Sequence, residues 1–103
     1  MKLRIQELSV ILRLQPDEVL LLSEKRKLVQ IAKLPGDEIN IILEVRDVEY
    51  IGMHYSQNSF IFSFPKEQLE AWCTSNKVGY SRALNDLTLT IEKDMPRKSK
   101  NAN

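Results

Sequence analysis

The sequence predicts an α+β fold: a mainly antiparallel, twisted sheet of about seven to eight strands, with two short helices on one face. Three observations support this fold class. Most of the chain alternates apolar and polar residues at the period of a strand, two segments that begin with proline interrupt the alternation, and short polar turns separate the alternating segments. A ferredoxin-like split βαβ pair is the alternative, because each predicted helix lies between strands.

Alternation identifies the strands individually. The clearest case is LTLTIEK, in which leucine and isoleucine occupy one face while threonine and glutamate occupy the other. Turn-forming residues such as the Pro-Gly-Asp sequence at 35–37 lie between strands. The predicted strands are residues 2–5, 9–14, 27–34, 38–45, 48–55, 59–64 and 87–93.

Two prolines predict where strand changes to helix. Pro16 and Pro65 each follow an apolar strand. Proline is well tolerated at the first helical position, because its missing N–H would have no intrahelical partner there. We therefore predict helices over residues 16–24 and 65–75.

Acidic residues near each helix start have a structural explanation. Glu18 and Glu67 fall in the first helical turn, where a carboxylate interacts favourably with exposed N–H groups by about 0.3 to 1 kcal/mol. We interpret these acids as helix-capping residues and not as catalytic groups. The first helix, widened by Leu20 and Leu21, is apolar enough to be mostly covered. Cys73 lies on the apolar stripe of the second helix and is interpreted as a packing residue.

The two halves of the chain resemble each other. Residues 9–29 and 59–79 can be aligned, and each reads as strand, proline-led helix, strand. Either an internal duplication with a pseudo-twofold arrangement or repeated use of the same residues at a strand-to-helix junction explains the likeness. The connections over residues 15–26 and 65–76 just reach the length that a parallel crossover requires.

Composition limits the classes of partner and compartment. The chain has 103 residues, with 15 Lys and Arg against 14 Asp and Glu. This balance does not favour nucleic acid or an anionic membrane as a partner. We expect one domain over residues 1–95 and a flexible basic tail over residues 96–103. The lone Cys73 fits a reducing compartment, and no stretch approaches the roughly 20 apolar residues of a membrane span, so we expect a cytoplasmic protein.

Three short pieces carry a resemblance to a known family: MKLRI at residues 1–5, Trp72 with Val78-Gly79, and IEKD at residues 91–94. With these, residues 1–94 resemble a family of small uncharacterised bacterial proteins known only as a domain of unknown function. The resemblance supports the domain boundaries but implies no activity. Similar members continue the last motif with an aromatic residue and Cys-Leu. Here Met95 and Pro96 follow, so no role for a thiol is expected at that point.

The only candidate binding residues are His54 and Tyr50. They share one face of the predicted strand 48–55 with Gly52, whose small size leaves room above the sheet. The alternative is a solvent-facing edge with ordinary polar residues. A metal site or nucleophile pair formed by His54 and Cys73 is not favoured, because nothing local orders the two side chains.

The residue pattern favours a binding protein over an enzyme. Glycine-rich phosphate loops, nucleophile elbows and HExxH zinc motifs are absent from the sequence, and we predict no catalytic residue, no metal site and no cofactor. We expect a non-catalytic binding or protein-interaction domain that uses an exposed strand edge or the His54 face, with an unknown protein or small molecule as partner. The alternatives are an enzyme of unrecognised type with a pocket between sheet and helices, and weak nucleic-acid binding through the tail.

Overall fold

The alternating segments form eight strands in two mixed sheets, and the two proline-led segments form helices. The computed structural model describes residues 1–94, so the predicted tail lies outside the described residues. The elements are β1 (Lys2–Gln6), β2 (Ser9–Leu14), α1 (Pro16–Lys25), β3 (Lys27–Leu34), β4 (Asp37–Arg46), β5 (Gly52–Ser56), β6 (Ser59–Pro65), α2 (Lys66–Thr74), β7 (Gly79–Leu84) and β8 (Leu87–Lys93). Within residues 1–94 neither helix has the length and apolar character needed to cross a membrane.

The predicted α+β class, the seven to eight strands and the two helices are confirmed, but the prediction of a single sheet is wrong, because the strands form two mixed sheets of four. The first sheet has the order β1-β2-β8-β7 and the second has the order β3-β4-β6-β5, with a parallel pair at the centre of each. Two helices of 10 and 9 residues are too short to cover an eight-stranded face, so the two sheets bury their apolar faces together with the helices. Each helix carries the chain from one sheet to the other, which also rules out the ferredoxin-like alternative.

The topology has a pseudo-twofold relation between the halves. Each half is a hairpin, a helix and a second hairpin, and each sheet takes one hairpin from each half. Replacing every strand of the first sheet by its equivalent from the other half reproduces the order of the second sheet. This arrangement supports the interpretation of the chain as an internal duplication.

The core lies between the two sheets and the helices. It contains an aromatic group of Phe64, Trp72 and Tyr80. The rings of Phe64 and Trp72 are stacked, with 4.6 Å between their centres, and the rings of Phe64 and Tyr80 form a T-shaped pair with 5.3 Å between their centres. Burial raises the pKa of Tyr80 above its ordinary value, because the phenolate would lose hydration there. The buried apolar residues are Val10, Leu12, Leu14, Val19, Leu22, Ile41, Leu43, Ile51, Phe62, Phe64, Leu69, Trp72, Leu89 and Ile91.

Both prolines mark a change from strand to helix, at slightly different positions. Pro16 is the first residue of α1 as predicted, whereas Pro65 is the last residue of β6 and the N-cap of α2. Glu18 accepts a hydrogen bond from the backbone N–H of Gln15 at 2.8 Å and pairs with the amino group of Met1 at 2.6 Å. Its carboxylate therefore serves the start of the helix, as predicted.

Some local predictions are wrong. The sequence pattern does not predict strand β7, because GYSRAL lacks the β-branched residues that are typical of strands. The predicted strand 48–55 begins only at Gly52. Helix α1 is less covered than expected, since Leu20 and Leu21 are exposed and only one side of the helix packs on the core.

Lys93, the last residue of β8, stabilises the C-terminal end of α2. Its ammonium group is buried and donates to the backbone oxygens of Trp72 at 2.6 Å and Ser75 at 2.9 Å. The last turn of α2 has no basic residue of its own. A cation at this position complements the unpaired carbonyl groups and the negative end of the helix dipole.

We expect Lys93→Met to lower the free energy of unfolding by about 2 kcal/mol, because two hydrogen bonds to a charged donor are lost. Urea unfolding measures the change. Lys25→Met removes an exposed cation from the last turn of α1 and serves as control, with an expected change of at most about 0.5 kcal/mol. Equal losses in the two variants would contradict this role for Lys93.

Candidate functional site

Within residues 1–94 no strand pairs with the outer edge of β3, so backbone groups along this edge are unpaired in the part of the chain that the structure describes. Strand β3 lies at the end of the second sheet. Val45 donates its N–H to the carbonyl of Arg26 at 3.0 Å, and these residues continue the β3–β4 register. Hydrogen-bonded pairs alternate along an antiparallel ladder, so every second residue of β3 points its N–H and C=O away from β4. Val29 and Ile31 are two of these outward-directed residues.

The same residues expose apolar side chains. Val29 is 55% exposed and Ile31 is 51% exposed. Lys27 and Lys33 extend from the same face of β3 on either side of them. The outer side of this edge therefore presents two adjacent β-branched residues between two cations.

The equivalent edge of the first sheet has a different character. By the pseudo-twofold relation β7 corresponds to β3, but β7 has six residues and β3 has eight. The positions of Val29 and Ile31 are taken by Ser81 and Ala83, and the Ser81 hydroxyl hydrogen-bonds that of Thr90 at 2.8 Å. The apolar edge is thus a property of β3 and not of the fold.

A seam separates β3 from β1, the neighbouring edge of the first sheet. Gln30 bridges it: its side chain accepts from the Met1 amino group at 3.0 Å and donates to the Met1 carbonyl at 2.8 Å. No backbone hydrogen bond joins β1 to β3 within residues 1–94. A cavity of about 460 Å³ occupies this seam, lined by Met1, Lys2, Leu3, Arg4, Ile11, Arg13, Gln30 and Ile41.

The corresponding seam between β5 and β7 has a smaller cavity, of about 270 Å³. There the guanidinium group of Arg82 donates to the Ile51 carbonyl at 3.0 Å and lies 4.9 Å from the centre of the Tyr50 ring. Arg82 holds the position equivalent to Gln30, whereas Tyr80 is equivalent to Leu28 and packs its ring against Phe64 in the core. The two seams therefore differ in the volume of their cavities and in the charged side chains that line them.

The structure does not bring the predicted binding residues His54 and Tyr50 together. His54 is exposed on the outer face of the second sheet, in a row that runs through Ile61 and Ile42 to Val29. Tyr50 precedes β5 and lies at the second seam against Arg82. His54 thus shares a surface with the β3 edge. Whether either residue binds a ligand stays a prediction.

Other candidate groups have structural roles or lack a defined geometry. Cys73 packs between the helices, with its sulfur 3.6 Å from the carbonyl of Val19. Asp47, Glu49 and Glu67 line an open cleft of about 560 Å³. Across residues 1–94, no group of three His, Cys, Asp or Glu side chains is arranged to hold a metal ion.

Comparison with known proteins identifies a family. A family model described as a family of unknown function (DUF7009) matches residues 1–101. Neither a curated protein nor a solved structure matches the chain.

Proposed function

The chain belongs to this family of unknown function, and we propose that it is a non-catalytic protein-interaction domain that binds an extended segment of a partner protein along β3. The partner segment adds a fifth strand to the second sheet. Its backbone hydrogen-bonds the outward N–H and C=O groups of Val29 and Ile31, and its side chains cover theirs.

One observation carries this proposal. Val29 and Ile31 combine directed, unpaired backbone groups with apolar side chains that are about half exposed. A long apolar edge strand of this kind is a template for pairing with another chain. The small side chains of Ser81 and Ala83 at the equivalent positions of β7 argue that the large apolar pair is not required for folding.

The expected affinity is moderate. A short added strand forms about four backbone hydrogen bonds, each worth about 1 kcal/mol net, and covering the exposed parts of Val29 and Ile31 adds about 1 kcal/mol each. The total of about 6 kcal/mol sets a lower limit of tens of micromolar on the Kd, because the translational and rotational freedom lost on association is not subtracted. Ordering a flexible partner weakens this further.

The surroundings of the edge extend the proposal. A partner that reaches across the sheet face meets His54 at the far end of the row, so we keep His54 as a proposed contact. Tyr50 lies away from this face and is proposed only as a contact at the second seam. The bacterial and cytoplasmic setting is part of the proposal and rests on the sequence resemblance and the lone Cys73.

Ile31→Pro tests the proposal. Residue 31 points its N–H away from β4, so proline there removes an edge donor but no ladder hydrogen bond. The probe is a labelled peptide with the sequence DEINIILEVR of β4, the segment that β3 already pairs with. Fluorescence anisotropy should show binding to the wild type, and Ile31→Pro should weaken it by about tenfold or more.

Ala83→Pro is the matched control. Ala83 holds the equivalent outward position on β7. Lys93 donates its N–H to the Val78 carbonyl, and hydrogen-bonded pairs alternate along the β7–β8 ladder from there. Ala83 therefore points its N–H away from β8, as Ile31 points its N–H away from β4. This variant should bind the peptide like the wild type. Equal affinities of the wild type and Ile31→Pro, or no binding at millimolar protein, would contradict the proposed function.

A further inference from the structure

We infer that the segment bound along β3 is acidic, with a carboxylate on each side of a short apolar centre on the face that covers Val29 and Ile31. This inference rests on the proposed function and specifies its ligand. The side chains of β3, its partner β4 and the charge of the neighbouring seam support it.

Strand β4 shows which side chains β3 pairs with. On the outer face, both ends of β3 meet acids: Lys27 lies 3.9 Å from Glu44, and Lys33 lies 3.3 Å from Glu38. Between these ion pairs the side chains are apolar or uncharged. The cross-strand pairs are Lys27–Glu44, Val29–Ile42, Ile31–Asn40 and Lys33–Glu38.

A strand on the free edge would meet the same four side chains in the same order. It would lie about 4.8 Å from β3, at the spacing that β4 has on the other side. The side chains of Lys27 and Lys33 are 53% and 79% exposed despite their ion pairs. Because an ammonium group has three donors, each lysine can contact a second carboxylate.

The seam beside the edge adds positive charge. Lys2, Arg4 and Arg13 line its cavity, and one of them, Arg13, is already paired with Glu92 at 2.7 Å. Such a surface attracts an anionic segment and repels a cationic one. The corresponding seam between β5 and β7 lacks this excess of positive charge, because one acid and one cation, Glu49 and Arg82, line its cavity.

Edge lysines also have a protective role in other proteins, where they prevent strands from pairing. The two roles predict different results. A protective role predicts that no peptide adds to the edge. A recognition role predicts binding that increases with acidic charge at the two outer positions.

Three peptides separate these roles. The first is DEINIILEVR; the second has glutamine at the positions of Glu38 and Glu44, and the third has lysine there. We expect the acidic peptide to bind about fivefold more tightly than the glutamine peptide in low salt, and the lysine peptide to bind more weakly than both. The differences should shrink in 0.5 M salt, because screening lengths then fall to about 4 Å.

The protein variant Lys27→Gln/Lys33→Gln locates the effect. It keeps the edge and its apolar residues, and circular dichroism verifies that it folds. Its preference for the acidic peptide over the glutamine peptide should fall to less than about twofold. A preference that persists in this variant, or a lysine peptide that binds as well as the acidic one, would overturn the inference.

The outcomes distinguish this inference from the proposed function. If all three peptides bind equally and Ile31→Pro weakens each of them, the acidic specificity is wrong while strand addition stands. If none binds, or if Ile31→Pro leaves all affinities unchanged, strand addition itself is wrong.

Discussion

Trp72→Ala is expected to lower the free energy of unfolding by about 4 kcal/mol, within the range for truncating a large buried aromatic residue. Trp72 is fully buried, and its ring stacks on Phe64 at 4.6 Å. Its indole N–H donates to the carbonyl of Val78 at 3.1 Å. The substitution removes contacts with both sheets and leaves a cavity where α2 meets them. Urea unfolding followed by circular dichroism measures the loss.

Trp72→Phe is the control for this prediction. It keeps an aromatic ring beside Phe64 but loses the indole donor, so about 1 to 2 kcal/mol should be lost. The Val78 carbonyl still accepts the backbone N–H of Lys93 at 2.7 Å and is not left unsatisfied. A loss below about 1.5 kcal/mol for Trp72→Ala would show that this aromatic group is not central to the core.

Gly79→Ala should also destabilise the protein, by about 3 kcal/mol. A Cβ at residue 79 would overlap the carbonyl oxygen of Ile91 and lie 2.5 Å from Cα of Glu92, and both atoms belong to the backbone of β8. Strand β8 is an inner strand of its sheet. To remove this overlap, the hydrogen-bonded backbone of β8 has to move away from residue 79. Such a movement costs more free energy than the rotation of a side chain.

Gly52→Ala is the matched control, because no atom lies within 4 Å of a Cβ at residue 52. Alanine there reduces the freedom of the unfolded chain, so stability should stay the same or rise by about 0.4 to 1 kcal/mol. Thermal unfolding of both variants tests the contrast. Similar stability changes would mean that the strands separate easily at residue 79.

Two of the three sequence motifs that suggested a family, Trp72 with Val78-Gly79 and IEKD, are parts of one structural junction. Trp72 bonds to Val78, Gly79 permits close approach to β8, and Lys93 holds the end of α2. Glu92, in the same motif, pairs with Arg13. The contacts of these motif residues hold the fold together. The sequence could therefore predict strands, helices and core residues, but these motifs did not indicate an activity.

Which strands are neighbours could not be predicted from alternation. Period-two patterning identifies the faces of a strand, but the pairing partners depend on where each helix returns the chain. Residues 27–34 place apolar side chains on both faces, but the inner strands β4 and β6 do so too. This pattern therefore does not tell an edge strand from an inner one.

The predicted binding residues were separated for a local reason. Alternation from residue 48 placed Tyr50 and His54 on one face, but regular strand begins only at Gly52. The residues before Gly52 are not in a regular strand, so the alternation of side-chain directions does not extend back to Tyr50. The ring of Tyr50 instead contacts the guanidinium group of Arg82 at the second seam. His54, within the strand, keeps the outward direction that alternation predicts.

Amide hydrogen exchange along β3 tests the central claim most directly. In the free protein, we predict fast exchange at Val29 and Ile31 and slow exchange at Leu28 and Gln30, because only the second pair donates to β4. Saturation with the acidic peptide should then slow exchange at Val29 and Ile31. Protection of these two amides in the free protein, or fast exchange that persists in the saturated complex, would contradict strand addition at this edge.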